Sequence, residues 1–353
     1  MPANPLDDAR AFLADWVRPR AGAIDQDLPA LREALLELGR RGYLGLRIPR
    51  GFGGLELGAL DFRRFQEASA RASGALAFVE SQHQSASGLV VRSPNADLRA
   101  RLLPRLARGE ESSAIAFSHL RRSGPPALTA AAVPGGYRLD GHLPWVTGWG
   151  LFTHCVTAAP LPDRRVLFAY HPLTESASLR PSPPLDLAAM AVTQTVSVEV
   201  RELHVPEADV VEIHPATWIQ ENDRIAVALQ SPLALGCAQA AIDVLKEEAA
   251  KKGRSAMIDA ATRLEAELAE VREEAYEAME ETVDFQRGLR ARSAAIELAG
   301  RAAHAAVIAA AGAGNVMSHP AQRVYREALA FSVLALLPPI QDAALARLSK
   351  SSG

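Results

Sequence analysis

The stretch TVSVEVRELHVPEADVV, residues 195–211, decides the fold. Val196, Val198 and Val200 alternate with Ser197, Glu199 and Arg201, the period of two that turns one side of a strand to a core and the other to water. Upstream, GYRLDGHLPWVTG (136–148), THCVTAA (153–159) and RVLFAYHPL (165–173) have the same texture: short, rich in Val, Tyr, Phe and Thr, and punctuated by Pro and Gly. Residues 113–213 therefore read as a compact β domain.

Helical patterns flank it on both sides. In PLDDARAFLADWVRP (5–19), Ala9, Phe12, Leu13, Trp16 and Val17 recur at helical spacing. DLPALREALLELGRRG (27–42) starts on Asp27 as an N-cap and stops at Gly42. LGLRIPRGFGGLELG (44–58) is a structured loop, dense in glycine and proline. From Asn222 helix returns. RLEAELAEVREEAYEAMEETVDFQ (263–286) lines up Leu264, Leu268, Val271, Ala275, Ala278 or Met279, and Val283 on one face, as in a bundle. Further helices are expected near 228–250, 290–311 and 318–347. The fold class is α+β, mainly α: an N-terminal helical domain (1–112), a β-barrel-like middle domain (113–213) and a C-terminal four-helix bundle (214–353).

Bulk properties narrow the function. A net charge of −3 over 353 residues gives no general attraction for nucleic acid or anionic lipid. The longest apolar runs are interrupted by Arg, Gly or Pro short of a membrane span, and the N-terminus lacks the basic start of a secretory signal, so a soluble cytoplasmic chain is expected. Cys155 and Cys237, the only two cysteines, are expected as small core fillers. No histidine spacing suggests a metal site.

Five motifs in order resemble the acyl-CoA dehydrogenase superfamily over nearly the whole chain: LGLRIPRGFGGLELG, LLPRLARGE (102–110), YRLDGHLPWVTG (137–148), VEVRELHVPEADVV (198–211) and GAGNVMSHPAQRVYREA (312–328). The resemblance implies FAD between the β domain and the bundle, an acyl-CoA or acyl-carrier thioester as substrate, and a homodimer or homotetramer. It leaves the electron acceptor open. It also implies flavin contacts from Trp145 and Thr147, and from Phe117, Ser118 and Ser123 around SHLRRSG (118–124), where the family's acid and proline are replaced by His119 and Leu120. Gly312 and Gly314 match glycines that admit a cofactor from a neighbouring subunit, and as ordinary helix-ending glycines they need none. Arg121 and Arg122 are either solvated or available to a phosphate-bearing ligand.

Two departures matter. The family's phenylalanine-glycine loop is replaced by the shorter AAKKGRSAMIDAA (249–261), in which Arg254 has no assignable role. The usual catalytic glutamate falls on Ala335 in SVLALLPP (332–339). In the branch that includes isovaleryl-type enzymes the base lies instead at the start of the first bundle helix, and ENDRIAVALQSPLALGCAQAA (221–241) matches that segment. Asp223 then becomes the catalytic base and Arg224 a substrate-binding residue. A helix-starting aspartate is equally well explained as an N-cap. The leading function is FAD-dependent acyl-thioester dehydrogenation; the alternatives are a flavin monooxygenase of the same superfamily and a flavin-free partner subunit.

Overall fold

The computed structural model describes residues 4–280 and 284–349. Six helices come first: α1 (Pro5–Phe12), α2 (Ala21–Gln26), α3 (Leu28–Arg40), α4 (Ala59–Ala72), α5 (Gly74–Arg92) and α6 (Ala96–Ala107). Asp27 caps α3 as its position suggests, accepting a bond from the Ala30 amide at 3.3 Å, and Gly42 takes the left-handed conformation (φ 77°) just past its end.

Eight strands follow: β1 (Ser113–Ala116), β2 (Leu128–Val133), β3 (Gly136–Val146), β4 (His154–Pro160), β5 (Val166–Pro172), β6 (Leu179–Pro181), β7 (Val196–Pro206) and β8 (Val210–His214). They form two four-stranded sheets, ordered β1-β4-β5-β8 and β2-β3-β7-β6. Val196, Val198 and Val200 of β7 are buried, each at most 2% exposed, while Glu199 and Arg201 are exposed. This is the alternation that the opening stretch predicts. Leu139, Leu143 and Val146 of β3 join them in one apolar cluster, which also takes in Cys155, Ala159 and Leu167 of the other sheet.

The third part contains α7 (Trp218–Ala226), α8 (Ser231–Lys252), α9 (Ser255–Glu280), α10 (Phe285–Ala310), α11 (Pro320–Val333) and α12 (Pro338–Leu348). Leu264, Leu268, Val271, Ala275, Ala278 and Met279 of α9 face the bundle's apolar cluster; Val283 lies outside the described residues. One helix boundary needs correction. The helix expected to run on from Asp223 breaks into α7, a 3-10 turn at Ala228–Gln230, and α8, because Pro232 has no amide hydrogen and suits the first turn of a new helix. The helical stretch expected over 318–347 ends at Val333 and restarts at Pro338, at the bend that Pro338 and Pro339 dictate from the sequence. By length and composition, the helical stretches Ala228–Lys252 and Phe285–Asn315 are also apolar enough to cross a membrane, contrary to the sequence expectation; here they form the middle of the bundle.

Close contacts fix how the parts meet. A side-chain carbon on Gly236 of α8 would lie 2.1 Å from the Glu67 carbonyl oxygen of α4, so only glycine allows these helices to approach so closely. At the other joint, Glu327 of α11 accepts from the Gly74 amide at 2.9 Å and from Arg323 Nη1 at 2.8 and 2.9 Å, wholly buried between α5 and the bundle. Arg292 of α10, 1% exposed, donates to the carbonyls of Gln230, Phe331 and Leu334, tying the α7–α8 joint to the end of α11.

Candidate functional site

Four strand and helix ends converge between the β domain and the bundle. Phe117 follows β1 directly, and its ring meets Phe168 edge-on at 5.4 Å; Phe168 meets Trp218 at 4.8 Å, and Trp218 stacks on His214 at 4.6 Å. Trp218 is the first residue of α7, so these rings join the root of the loop after β1 to the root of the helix that carries Asp223. His119 fastens the loop from within. Its Nε2 lies 2.9 Å from the Ala158 carbonyl, and burial lowers its pKa to about 4, so the ring is neutral and Nε2–H donates.

On this frame Arg121 reaches across the cleft to Asp223. Arg121 Nε donates to Oδ2 at 2.8 Å and Nη2 to Oδ1 at 2.7 Å, a two-pronged pair between side chains that are 27% and 14% exposed. Asp223 is therefore not an N-cap. The cap position of α7 is Thr217, and Asp223 lies in the body of the helix with both oxygens turned to the β domain. Its chain neighbour Arg224 points elsewhere: exposed, with its guanidinium carbon 5.4 Å from the centre of the Phe285 ring.

The other sequence-selected residues surround the cleft unevenly. Ser118 and Ser123 are exposed on the loop after β1. Trp145 on β3 is 45% exposed, and its indole meets no other ring among the described residues. Thr147 is buried, its hydroxyl 3.0 Å from that of Thr195. The Met190–Gln194 turn beside it holds two non-glycine residues in the left-handed region, Met190 (φ 58°) and Gln194 (φ 52°), and the Gly148 amide donates to Thr193 at 2.8 Å. Gly312 and Gly314 follow α10 in a 3-10 turn. Among the described residues nothing lies within 4 Å of a side-chain carbon built on Gly312, whereas one on Gly314 would sit 2.9 Å from the Val307 carbonyl oxygen. Ala335 is exposed in a left-handed turn (φ 47°) between α11 and α12. Arg254 is exposed directly after the Gly253 cap of α8.

The set suits a flavin in its residue types: an uncovered indole for a flat apolar ring, free hydroxyls for its polar rim, and open space at Gly312 for approach by a second chain. No group of three or more metal-ligating side chains occurs among the described residues. Beside the loop lies a hollow of about 530 Å³, lined by Arg122, Arg164, Pro162, Ile219 and Gln220 among others.

One buried group was missed in the sequence. Glu80 of α5 is fully buried, neither oxygen has a partner among the described residues, and burial raises its pKa well above the ordinary carboxyl value against the opposing charge of Arg63, which favours the neutral acid. The available signal was a lone acid in the apolar run LAFVESQH (76–83).

This architecture is the acyl-CoA dehydrogenase fold: the structure superposes on the glutaryl-coenzyme A dehydrogenase glutaryl-CoA complex with a TM-score of 0.84 over 98% of this chain and 94% of that one, at 18% identity. Residues 5–110 match the family "Acyl-CoA dehydrogenase, N-terminal domain". Among curated proteins, the chain is 28% identical over 210 residues to mitochondrial isovaleryl-CoA dehydrogenase of Pongo abelii, covering 56% of this chain and 50% of that protein. It is 32% identical over 183 residues to L-prolyl-[peptidyl-carrier protein] dehydrogenase of Pseudomonas fluorescens, covering 48% of each. In both cases the match spans about half of the relative's own length.

Proposed function

We propose that this chain is an FAD-dependent dehydrogenase of acyl thioesters, carried on coenzyme A or a carrier protein, in which Asp223 removes the α-proton. The observation that carries the reading is the placement of the Asp223 carboxylate: on α7, facing the loop after β1, and held by both prongs of the Arg121 guanidinium. Each Asp223 oxygen accepts one bond from Arg121 and keeps a second lone pair for a proton. Arg121 orients the carboxylate, and a miss of about 1 Å would cost on the order of 100-fold in rate. The residues that would hold FAD are Phe117, Ser118, Ser123, Trp145 and Thr147, with Gly312 and Gly314 at a subunit boundary. Bound FAD supplies the acceptor for the β-hydride. Arg224, exposed and turned onto Phe285 rather than into the cleft, is assigned to the thioester carrier on the family resemblance alone.

The chain works as a homodimer or homotetramer in this reading. Tyr325, Leu329 and Val333 form an exposed apolar stripe one turn apart along α11, each at least 44% exposed, and a second copy is the occupant we infer for it.

Purified protein tests the proposal. It is expected to carry flavin near one per chain and to lose flavin colour anaerobically on adding an acyl-CoA. Ala335 and the short Gly253–Arg254 connection favour a second reading, a flavin-free partner subunit; colourless protein that takes up no added FAD would select it.

A further inference from the structure

Arginines gather at the C-terminal half of α5 without carboxylates to match. Arg47 Nη1 and Arg92 Nη1 each lie 3.4 Å from the point that a side-chain carbon on Gly88 would occupy, so the two guanidinium groups stand side by side over the bare helix face. Neither makes a hydrogen bond or ion pair among the described residues. Arg47 lies 5.1 Å above the Phe62 ring, and Arg63 lies 5.2 Å from the same ring, adding a third cation.

The nearby acids do not neutralise this group. Glu80 is buried with neither oxygen bonded to an arginine among the described residues. Glu212, whose charge reaches Arg92 from a distance, makes no ion pair with it among the described residues. Burial, and then the charge of Arg92, lower the pKa of Arg47. One helical turn along the same face, Gln84 keeps a buried Oε1 with no partner while its amide nitrogen donates to the Tyr43 carbonyl at 2.9 Å. Two adjacent guanidinium groups repel unless an anion lies between them.

We propose that Arg47 and Arg92 form a binding site for a phosphate group, held between two guanidinium forks over Gly88. A carboxylate has two coplanar oxygens and is satisfied by one fork; a phosphate offers three acceptor oxygens and a larger charge, which matches two forks from separate elements. The phosphate is either the free ion or an ester on a larger ligand. The site is independent of the flavin and of Asp223.

The test is a thermal melt of the full chain in sodium phosphate against sodium chloride at matched ionic strength. Phosphate is expected to raise the melting temperature saturably, with apparent affinity at least about tenfold weaker in Arg47→Gln and in Arg92→Gln. In chloride both variants are expected to melt no lower than wild type, because each relieves a like-charge contact. Equal stabilisation by phosphate and chloride would overturn the proposal, as would a wild-type phosphate response in the double variant. Variants that melt lower by the same amount in both salts would also overturn it, since the arginines would then serve only the fold. Repeating the titration with glycerol 3-phosphate identifies the source: tighter binding than inorganic phosphate assigns an ester, and equal or weaker binding assigns the free ion.

Discussion

Several arginine–carboxylate pairs join the bundle to the rest of the chain, Arg326–Asp25 and Arg272–Glu67 among them, and the two at the joint with α5 and at the cleft are built differently. Arg323 and Glu327 lie within one helix, 10% and 1% exposed, and Glu327 has a third donor in the Gly74 amide. Arg121 and Asp223 come from different domains, are more exposed, and among the described residues Asp223 has no donor other than Arg121. A carboxylate with all its donors supplied by the protein, and a glycine packed against it, is part of a joint. A carboxylate at a cleft, held by one long side chain, keeps lone pairs open to a substrate.

The comparison breaks most visibly at the buried pair. Glu327→Ala strands Arg323 in the interior and is expected to cost about 3–5 kcal/mol in urea unfolding. A loss under 1 kcal/mol would mean that the joint is not held electrostatically.

Glu80 sharpens the contrast from the other side, as a buried acid with no donor. The unfolded chain loses this proton above about pH 4.5, whereas the native chain keeps it to a much higher pH. Stability is therefore lost as pH rises through the native value. Glu80→Gln removes that penalty: it is expected to stabilise by about 1–3 kcal/mol at pH 8, with the gain shrinking toward pH 4.5. A gain that does not vary with pH would contradict the protonated assignment.

The smallest stability effect is expected at the cleft. Arg121→Gln should change unfolding by about 1 kcal/mol or less, retain flavin, and slow flavin bleaching roughly 10- to 100-fold through loss of aim. A stability loss as large as that of Glu327→Ala would make both pairs joints.

The division into helices, strands and helices was legible because its signals are periodic and local: the alternating valines of β7, the Asp27 cap and the apolar stripe of α9. The break at the proline pair Pro338–Pro339 was legible too, whereas the one before Pro232 was hidden by an apolar run that continues across it. Asp223 could be selected by resemblance, yet its partner could not, because Arg121 is 102 residues away and Arg224, next in the chain, turns to the opposite side. Glu80 was overlooked for a related reason: an acid in an apolar run is informative only once the neighbours that fail to pair with it are known.

The most direct test of the central claim compares wild type and Asp223→Asn, both loaded with FAD, mixed anaerobically with an acyl-CoA that bleaches the wild-type flavin. The account predicts unchanged flavin content and melting temperature in the variant, with bleaching slowed by about 100- to 10,000-fold. Bleaching at the wild-type rate would show that Asp223 is not the base.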